Sequence, residues 1–287
     1  MSESLPTTVA GALQWARQLG LERLDAQILL GTVLQRPRSW LLAHDQDALE
    51  GEHAARFMAW ARRRAQGEPL AYLLGDKEFY GLTLHVTPEV LIPRPDTETL
   101  VEWALACLPQ APQAGAPEVL DLGTGSGAIA LALQHHRPHA RITAVDASPG
   151  ALAVAQANAQ RLALPVQFLL GSWFAPVNGR QFDLIVSNPP YIADGDEHME
   201  QLGFEPKQAL TSGLDGLDDI RLIVSQAARY LKPAGWLLLE HGWDQAAPVS
   251  QLLAEHGFEQ IDTRFDLGGQ ARCTGGRTAG QTHPQGQ

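Results

Sequence analysis

The sequence predicts an α/β fold, a mostly parallel sheet with helices on both faces, preceded by a small all-α bundle. Three observations carry this expectation. From residue 118 onward, short apolar runs alternate with segments of helical period, as in successive βαβ units. Before residue 76 no strand pattern occurs, and apolar residues recur at helical spacing. Three close glycines, Gly123, Gly125 and Gly127, fall where the first strand of the alternating region would turn into its first helix.

In chain order, Val9, Leu13, Ala16 and Leu19 lie on one helical face and Gly20 follows as a stop. Residues 21–34 form a second periodic run that Pro37 prevents from continuing, and residues 47–66 a third that ends at Gly67. Residues 78–86 alternate around Gly81 as a hairpin would. Pro95, with Asp96 and Glu98 beside it, suits the first turn of a helix. Strands are expected at 119–121, 142–146, 166–169, 182–186 and 236–240, and helices at 128–136, 151–162 and 220–231. The domain boundaries are therefore placed at 1–75 (helical domain), 76–93 (β-hairpin linker), 94–277 (α/β domain) and 278–287 (disordered tail).

Hydrophobic residues make up 45% and charged residues 18% of the 287, a globular composition. Apolar stretches such as Trp236-Leu237-Leu238-Leu239 are too short to span a bilayer, and the N-terminus carries no signal-peptide pattern. Cys107 and Cys273 have no ligand spacing. A monomeric cytoplasmic protein with no membrane association and no metal site is expected. The net charge of −11 argues against long nucleic acid, whose binding needs a basic footprint, so no direct DNA binding is expected. Arg62-Arg63-Arg64 reads as a solvated helix face, with a contact surface for an acidic partner as the alternative. His135, His136 and His139 read as a solvent-facing helix end, since no Cys or carboxylate joins them at ligand spacing.

Asp121-Leu122-Gly123-Thr124-Gly125-Ser126-Gly127 follows one predicted strand, and Asp146 ends the next, where an acid grips ribose hydroxyls in nucleotide-binding α/β folds. Gly123-x-Gly125-x-x-Ala128 also fits a dinucleotide fingerprint, which keeps a nicotinamide enzyme open at this point. The acid-led loop resembles motif I of class I methyltransferases. Their cofactor, S-adenosyl-L-methionine, has no pyrophosphate and carries a sulfonium and an ammonium, which carboxylates such as Asp121 suit. A dehydrogenase would also need a His or Lys acid/base at the cleft, and no convincing candidate is present.

The strand ending at 186 runs into Asn188-Pro189-Pro190-Tyr191, at the carboxyl end where doubly wound sheets bind ligands. The prolines fix φ, remove donors and hold Asn188 extended, leaving two acceptors, the Asn188 side-chain oxygen and the Pro189 carbonyl. A planar amide or aromatic amine nitrogen is a poor nucleophile. Two acceptors on its N–H bonds would aim its lone pair and bind the charge that grows during alkyl transfer. Tyr191 would offer a flat face. The motif alone leaves amides and nucleic-acid bases open.

Several further stretches resemble the peptide chain release factor glutamine-N5 methyltransferase family over nearly the whole chain. They are residues 67–75, Glu78-Phe-Tyr-Gly81, Leu91-Ile-Pro-Arg-Pro-Asp-Thr-Glu98, residues 121–130, Ala144-Val-Asp146, Ser187-Asn-Pro-Pro-Tyr-Ile192, Glu205-Pro206 to Ala209-Leu210 and Gly213-Leu-Asp-Gly-Leu217. The resemblance implies a Rossmann-like class I methyltransferase domain and an N-terminal helical domain that recognises the substrate. It implies S-adenosyl-L-methionine as donor and the glutamine of a Gly-Gly-Gln loop in peptide chain release factors as acceptor. Gly123, Thr124, Gly125, Ser126, Gly127, Asp146, Trp173 and Asn188 would hold the cofactor. Asn188, Pro189, Pro190 and Tyr191 would hold the glutamine, with Asn188 as the catalytic residue. An N-methyltransferase acting on an RNA or DNA base is the alternative. Asp194, Asp196 and Glu197 are expected in a segment that orders over the substrate, and Glu205 near the entrance. Gly268-Gly269-Gln270 is expected to be a plain loop. Arg272-Cys-Thr-Gly-Gly-Arg277 departs from the family pattern and points to a weaker or differently packed last strand.

Overall fold

A computed structural model describes residues 5–110 and 115–280, divided into two compact units, Met1–Asp76 and Lys77–Gln287. None of the described helices is long and apolar enough to cross a membrane. The residues expected as a disordered tail lie, from 281 on, outside those described. Thr278, at its start, is tied down: its amide donates to Gly235 O at 2.9 Å and its hydroxyl to Lys232 O at 2.9 Å.

The first unit contains α1 (Val9–Gln18), α2 (Arg23–Leu34), α3 (Arg38–Ala43), α4 (Gly51–Ala65) and α5 (Leu70–Leu74). Thr8 caps α1 by accepting from Gly11 N, satisfying one of the free amides of its first turn. Gln35 closes α2 in the left-handed region, and Pro37 then stands at the N-cap of α3. The six residues of α3 and five of α5 are too few to show a helical period. Leu29, Leu30, Leu41 and Phe57 form the centre of this core, with the Trp15 ring edge-on to Phe57. The three consecutive arginines are engaged within the unit. Arg62 lies 5.5 Å over the Trp15 ring, Arg63 grips Glu68 with two nitrogens (2.7 and 2.5 Å), and Arg64 meets Asp25 at 2.6 Å. They stabilise the bundle rather than form a free basic patch.

The second unit opens with a hairpin, β1 (Asp76–Phe79) and β2 (Leu82–His85). Expected as a linker, it packs into this unit's core through Phe79, Leu82 and Leu84. Then follow α6 (Glu98–Cys107), β3 (Glu118–Leu122), α7 (Ala128–His136), β4 (Arg141–Asp146), α8 (Pro149–Leu162), β5 (Gln167–Leu170) and β6 (Phe182–Ser187). The unit ends with α9 (Asp218–Ala227), β7 (Leu231–Glu240), α10 (Ala246–Glu255), β8 (Glu259–Phe265) and β9 (Ala271–Arg277). The sheet runs β5-β4-β3-β6-β7-β9-β8, all parallel through β7, with β9 antiparallel to both neighbours. Side chains alternate between two cores: Val119, Ile142 and Leu184 enter one with α6 and α7, while Leu120, Ile185 and Leu237 enter the other with α9.

Two expectations near the C-terminus need correction. The helix expected at 220–231 ends at Ala227, because Leu231 already pairs with Phe182 in the sheet. The last strand is not weakened by its glycines; β9 sits inside the sheet because of them. A Cβ on Gly275 would fall 2.5 Å from Leu238 Cδ2 and 3.0 Å from the Trp103 ring, and one on Gly276 would fall 2.9 Å from Phe258 Cβ. Gly268-Gly269-Gln270 makes the turn joining β8 to β9, with Gln270 N donating to Asp266 Oδ1.

The fully buried Asn158 of α8 joins the hairpin to the glycine loop. Its oxygen accepts from His85 N at 2.7 Å, and its amide donates to His85 O and Ser126 O, both at 2.9 Å. Asn158→Leu strands these backbone groups in an apolar site and is expected to cost roughly 2–5 kcal/mol in denaturant unfolding. A loss below about 1 kcal/mol would contradict this role.

Candidate functional site

The order of strands reverses between β3 and β6, so the loops leaving these neighbours diverge and open a crevice at their carboxyl ends. The glycine loop lies on one side of it. Gly123, Gly125 and Gly127 all have positive φ (71°, 55° and 84°), a conformation that side chains disfavour. Gly123 N and Thr124 N both donate to Val145 O (2.9 and 3.0 Å), fixing the loop to the end of β4. A Cβ on Gly125 would meet nothing within 4 Å, which leaves that face open to a ligand.

Asp121 does not face the crevice, contrary to the expectation that it meets a cationic cofactor. It is fully buried behind the loop, accepting from the Thr124 hydroxyl at 2.6 Å. Its second oxygen has no partner among the described residues, and burial pushes the carboxyl up to about 7.

Asp146, half-buried at the end of β4, accepts from Gly125 N at 2.8 Å through one oxygen and from Ser148 N at 2.9 Å through the other. Each oxygen keeps a free lone pair for a ligand hydroxyl. Trp173 stands across from the glycines in a left-handed backbone conformation (φ 47°), its ring 3.4 Å from where a Gly123 Cβ would be. Strain of this kind in a bulky residue persists where the surroundings hold it.

Asn188 leaves β6 with its amide nitrogen donating to the Thr97 hydroxyl at 3.3 Å, which turns Oδ1 the other way. Among the described residues no donor reaches Oδ1 or the Pro189 carbonyl. Tyr191 is packed against the α9-side core with its hydroxyl 3.5 Å from Glu240 Oε1. Behind it, Gln245 Nε2 donates to Tyr191 O at 3.0 Å, and a Cβ on Gly216 would fall only 2.1 Å from that oxygen. Close approach to Tyr191 is the physical reason for the glycine in Gly213-Leu-Asp-Gly-Leu217.

One pocket of about 260 Å³ unites Gly123, Gly125, Asp146, Trp173, Asn188 and Pro190. Thr124, Ser126, Gly127, Pro189 and Tyr191 do not line it; Thr124 and Ser126 are buried on the inner side of the loop. Two lining carboxylates that sequence reasoning missed are Glu89 and Asp219. Glu89 has no motif around it, and its Oε2 lies 2.1 Å from where a Gly150 Cβ would be. With Asp146 they make three carboxylates, and the described lining residues include no Lys, Arg or His. A cationic ligand fits this wall. A pyrophosphate does not, because the Gly125 amide that would receive it is held by a carboxylate. Glu205 is buried rather than at the entrance. It pairs with Arg94 and accepts from Ile92 N, anchoring the stretch whose Pro206, Gln208 and Ala209 complete the pocket. Among the described residues no three His, Cys, Asp or Glu are placed to share a metal ion.

Because the folded-state pKa of Asp121 is raised, the folded chain holds this proton more tightly than the unfolded one. That contribution is complete below the ordinary value of 3.8 and is lost as pH rises to about 7. The stability of the wild type relative to Asp121→Asn should therefore fall by roughly 2–4 kcal/mol between pH 4 and pH 8. Parallel pH curves in denaturant unfolding would contradict it. Gly216→Ala should cost roughly 2–4 kcal/mol, from the positive φ of 74° and the clash with Tyr191 O. Unchanged unfolding midpoints would show that the contact has slack.

Comparison with known proteins agrees in both units. The Methyltransferase small domain family matches residues 102–263, and the PrmC N-terminal domain family matches residues 11–75. A release factor glutamine methyltransferase of Bordetella pertussis is 50% identical over 90% of this chain and 95% of its own length. The Escherichia coli protein of the same description is 46% identical over 89% and 92%. Among solved structures, a methyltransferase from Pyrococcus furiosus superposes with a TM-score of 0.54 at 17% identity, covering 80% of this chain and all of that one. A T. thermophilus 16S rRNA methyltransferase in complex with AdoMet and guanosine gives 0.53 at 22% identity, over 71% and 49%. These two likenesses establish a shared methyltransferase fold. At the identities and coverage of its curated relatives, the chain belongs to the release factor glutamine methyltransferase family.

Proposed function

We propose that the chain methylates the side-chain amide nitrogen (N5) of the glutamine in the Gly-Gly-Gln loop of peptide chain release factors, with S-adenosyl-L-methionine as donor. The observation that carries this reading is the pairing of a cation-suited pocket with an unengaged side-chain acceptor in its lining. Glu89, Asp146 and Asp219 supply negative charge, and Asn188 Oδ1 opens beside them. The donor supplies a methyl group already activated on a sulfonium. Asp146 is suited to its ribose hydroxyls and the Trp173 ring to its adenine, while Gly123 and Gly125 allow close backbone approach.

The acceptors supply aim and charge stabilisation. An amide nitrogen has its lone pair delocalised, and Asn188 Oδ1 with Pro189 O would each take one N–H. This orients the lone pair and favours the state in which the nitrogen has become positive. No side-chain base is needed, since the alkylated nitrogen is acidic enough to release its proton to water. The helical unit is assigned to recognition of the release factor, a role that fits its match to the PrmC N-terminal domain.

The decisive experiment incubates the protein with labelled S-adenosyl-L-methionine and a release factor, then repeats it with the target glutamine changed to alanine. Label on the first and none on the second is expected. Equal label on both, or label appearing only on added RNA, would overturn the reading in favour of another nitrogen. Asn188→Ala should lower kcat at least about a hundredfold, the scale of losing a transition-state acceptor, with the cofactor Kd changed less than about threefold. Near-normal turnover in that variant contradicts the mechanism.

A further inference from the structure

Glu240, the last residue of β7, is 1% exposed, and its Oε2 has no hydrogen-bond partner among the described residues. An incompletely satisfied buried carboxyl is expensive and calls for a reason. Its surroundings supply one. The Thr97 and Tyr191 hydroxyls both face the Glu240 carboxyl, the Tyr191 oxygen 3.5 Å from Oε1. Thr97 in turn accepts from Asn188 Nδ2 at 3.3 Å. Thus Glu240 touches one end of Asn188-Pro189-Pro190-Tyr191 directly and the other through a single hydroxyl. Neither Thr97 nor Glu240 lines the pocket.

The direction of this chain matters chemically. The two ends of an asparagine amide have nearly the same shape, so only their partners decide which faces out. A threonine hydroxyl has one proton. Drawn toward Glu240, that proton leaves the Thr97 oxygen free to accept, and Asn188 must then present its NH2 inward and Oδ1 to the pocket. Without an acceptor at 240, the Thr97 hydroxyl is free to donate to Asn188 instead. The flipped amide would then point its N–H bonds at the N–H bonds of the substrate. Resting on the glutamine-methylation reading, we infer that Glu240 is a positioning residue, which through Thr97 fixes the outward orientation of the Asn188 oxygen.

Other charges close to Glu240 come from Arg272 and Asp96. Arg272 is already bound to Asp96 at 3.3 Å and to Asp266 at 3.0 Å, so it does not neutralise Glu240 alone. Burial pushes the Glu240 carboxyl up to about 7. Protonation at the partnerless Oε2 would leave the other oxygen an acceptor, so the direction of the chain holds in both ionisation states. An amide at this position can do the same, with its NH2 in place of the protonated oxygen.

The test uses the full-length chain, its release factor substrate and S-adenosyl-L-methionine. Glu240→Leu and Thr97→Val should each lower kcat about tenfold or more, while calorimetry finds the cofactor Kd within about threefold of wild type. The double variant should lose no more than the worse single one, because both break the same chain. Glu240→Gln should recover kcat to within about threefold of wild type. Unfolding midpoints are measured throughout; should Glu240→Leu fail to fold, Thr97→Val and Glu240→Gln decide the matter. Wild-type kcat in Thr97→Val, additive losses in the double variant, or equal losses in Glu240→Gln and Glu240→Leu would overturn the inference. A wild type that leaves the release factor unlabelled would overturn the glutamine reading and this inference with it.

Discussion

The Ser187 hydroxyl donates to Leu122 O at 2.7 Å, where the last residue of β6 pairs with the last residue of β3. The bond is fully buried and joins the two strands at the switch point of the sheet. One residue beyond it the chains part, β3 into the glycine loop and β6 into Asn188. A slip of one position in this register would turn the apolar residues of β6 to the wrong cores and carry Asn188 away from the loop. The glycine loop and Asn188 are neighbours across one pocket because this pairing holds.

Around that junction the sheet ends are tied to one another by backbone donors and buried acids. Asp121 holds the inner side of the loop through Thr124, and Asp146 holds its outer side through Gly125. Asn158 fixes Ser126 to the hairpin, and Gly216 lets the segment before α9 close against Tyr191. Each tie restrains backbone, so the few side chains that line the pocket are placed by a rigid frame rather than by their own rotamers. Pre-organisation of this kind is what a reaction limited by aim and charge stabilisation requires.

Much of this could be read from the residues in order, for identifiable reasons. The glycine loop shows itself because three positions need positive φ and sit between a strand and a helix. Asp146 shows itself because it ends an apolar strand and Asn188 because it directly follows one, which the chain pattern marks. What stayed hidden depends on partners distant in sequence. Thr97 meets Asn188 from 91 positions away and Tyr191 meets Glu240 across 49, and no local pattern announces either. Asp121 looked like a ligand because sequence does not reveal which side of a turn an acid faces. The glycines of β9 looked like weakness because the Trp103 and Leu238 side chains they admit lie on other elements. Short helices such as α3 and α5 carry too few residues for a period.

The proposed methyl transfer depends on two oxygens receiving the amide nitrogen of the substrate. A crystal structure of the full chain with the demethylated donor and a Gly-Gly-Gln peptide tests this most directly. The glutamine amide nitrogen is predicted to lie about 3 Å from both Asn188 Oδ1 and Pro189 O, with its lone pair toward the sulfur. A bound glutamine that turns its carbonyl oxygen to Asn188, or that lies away from the rim, would contradict the account.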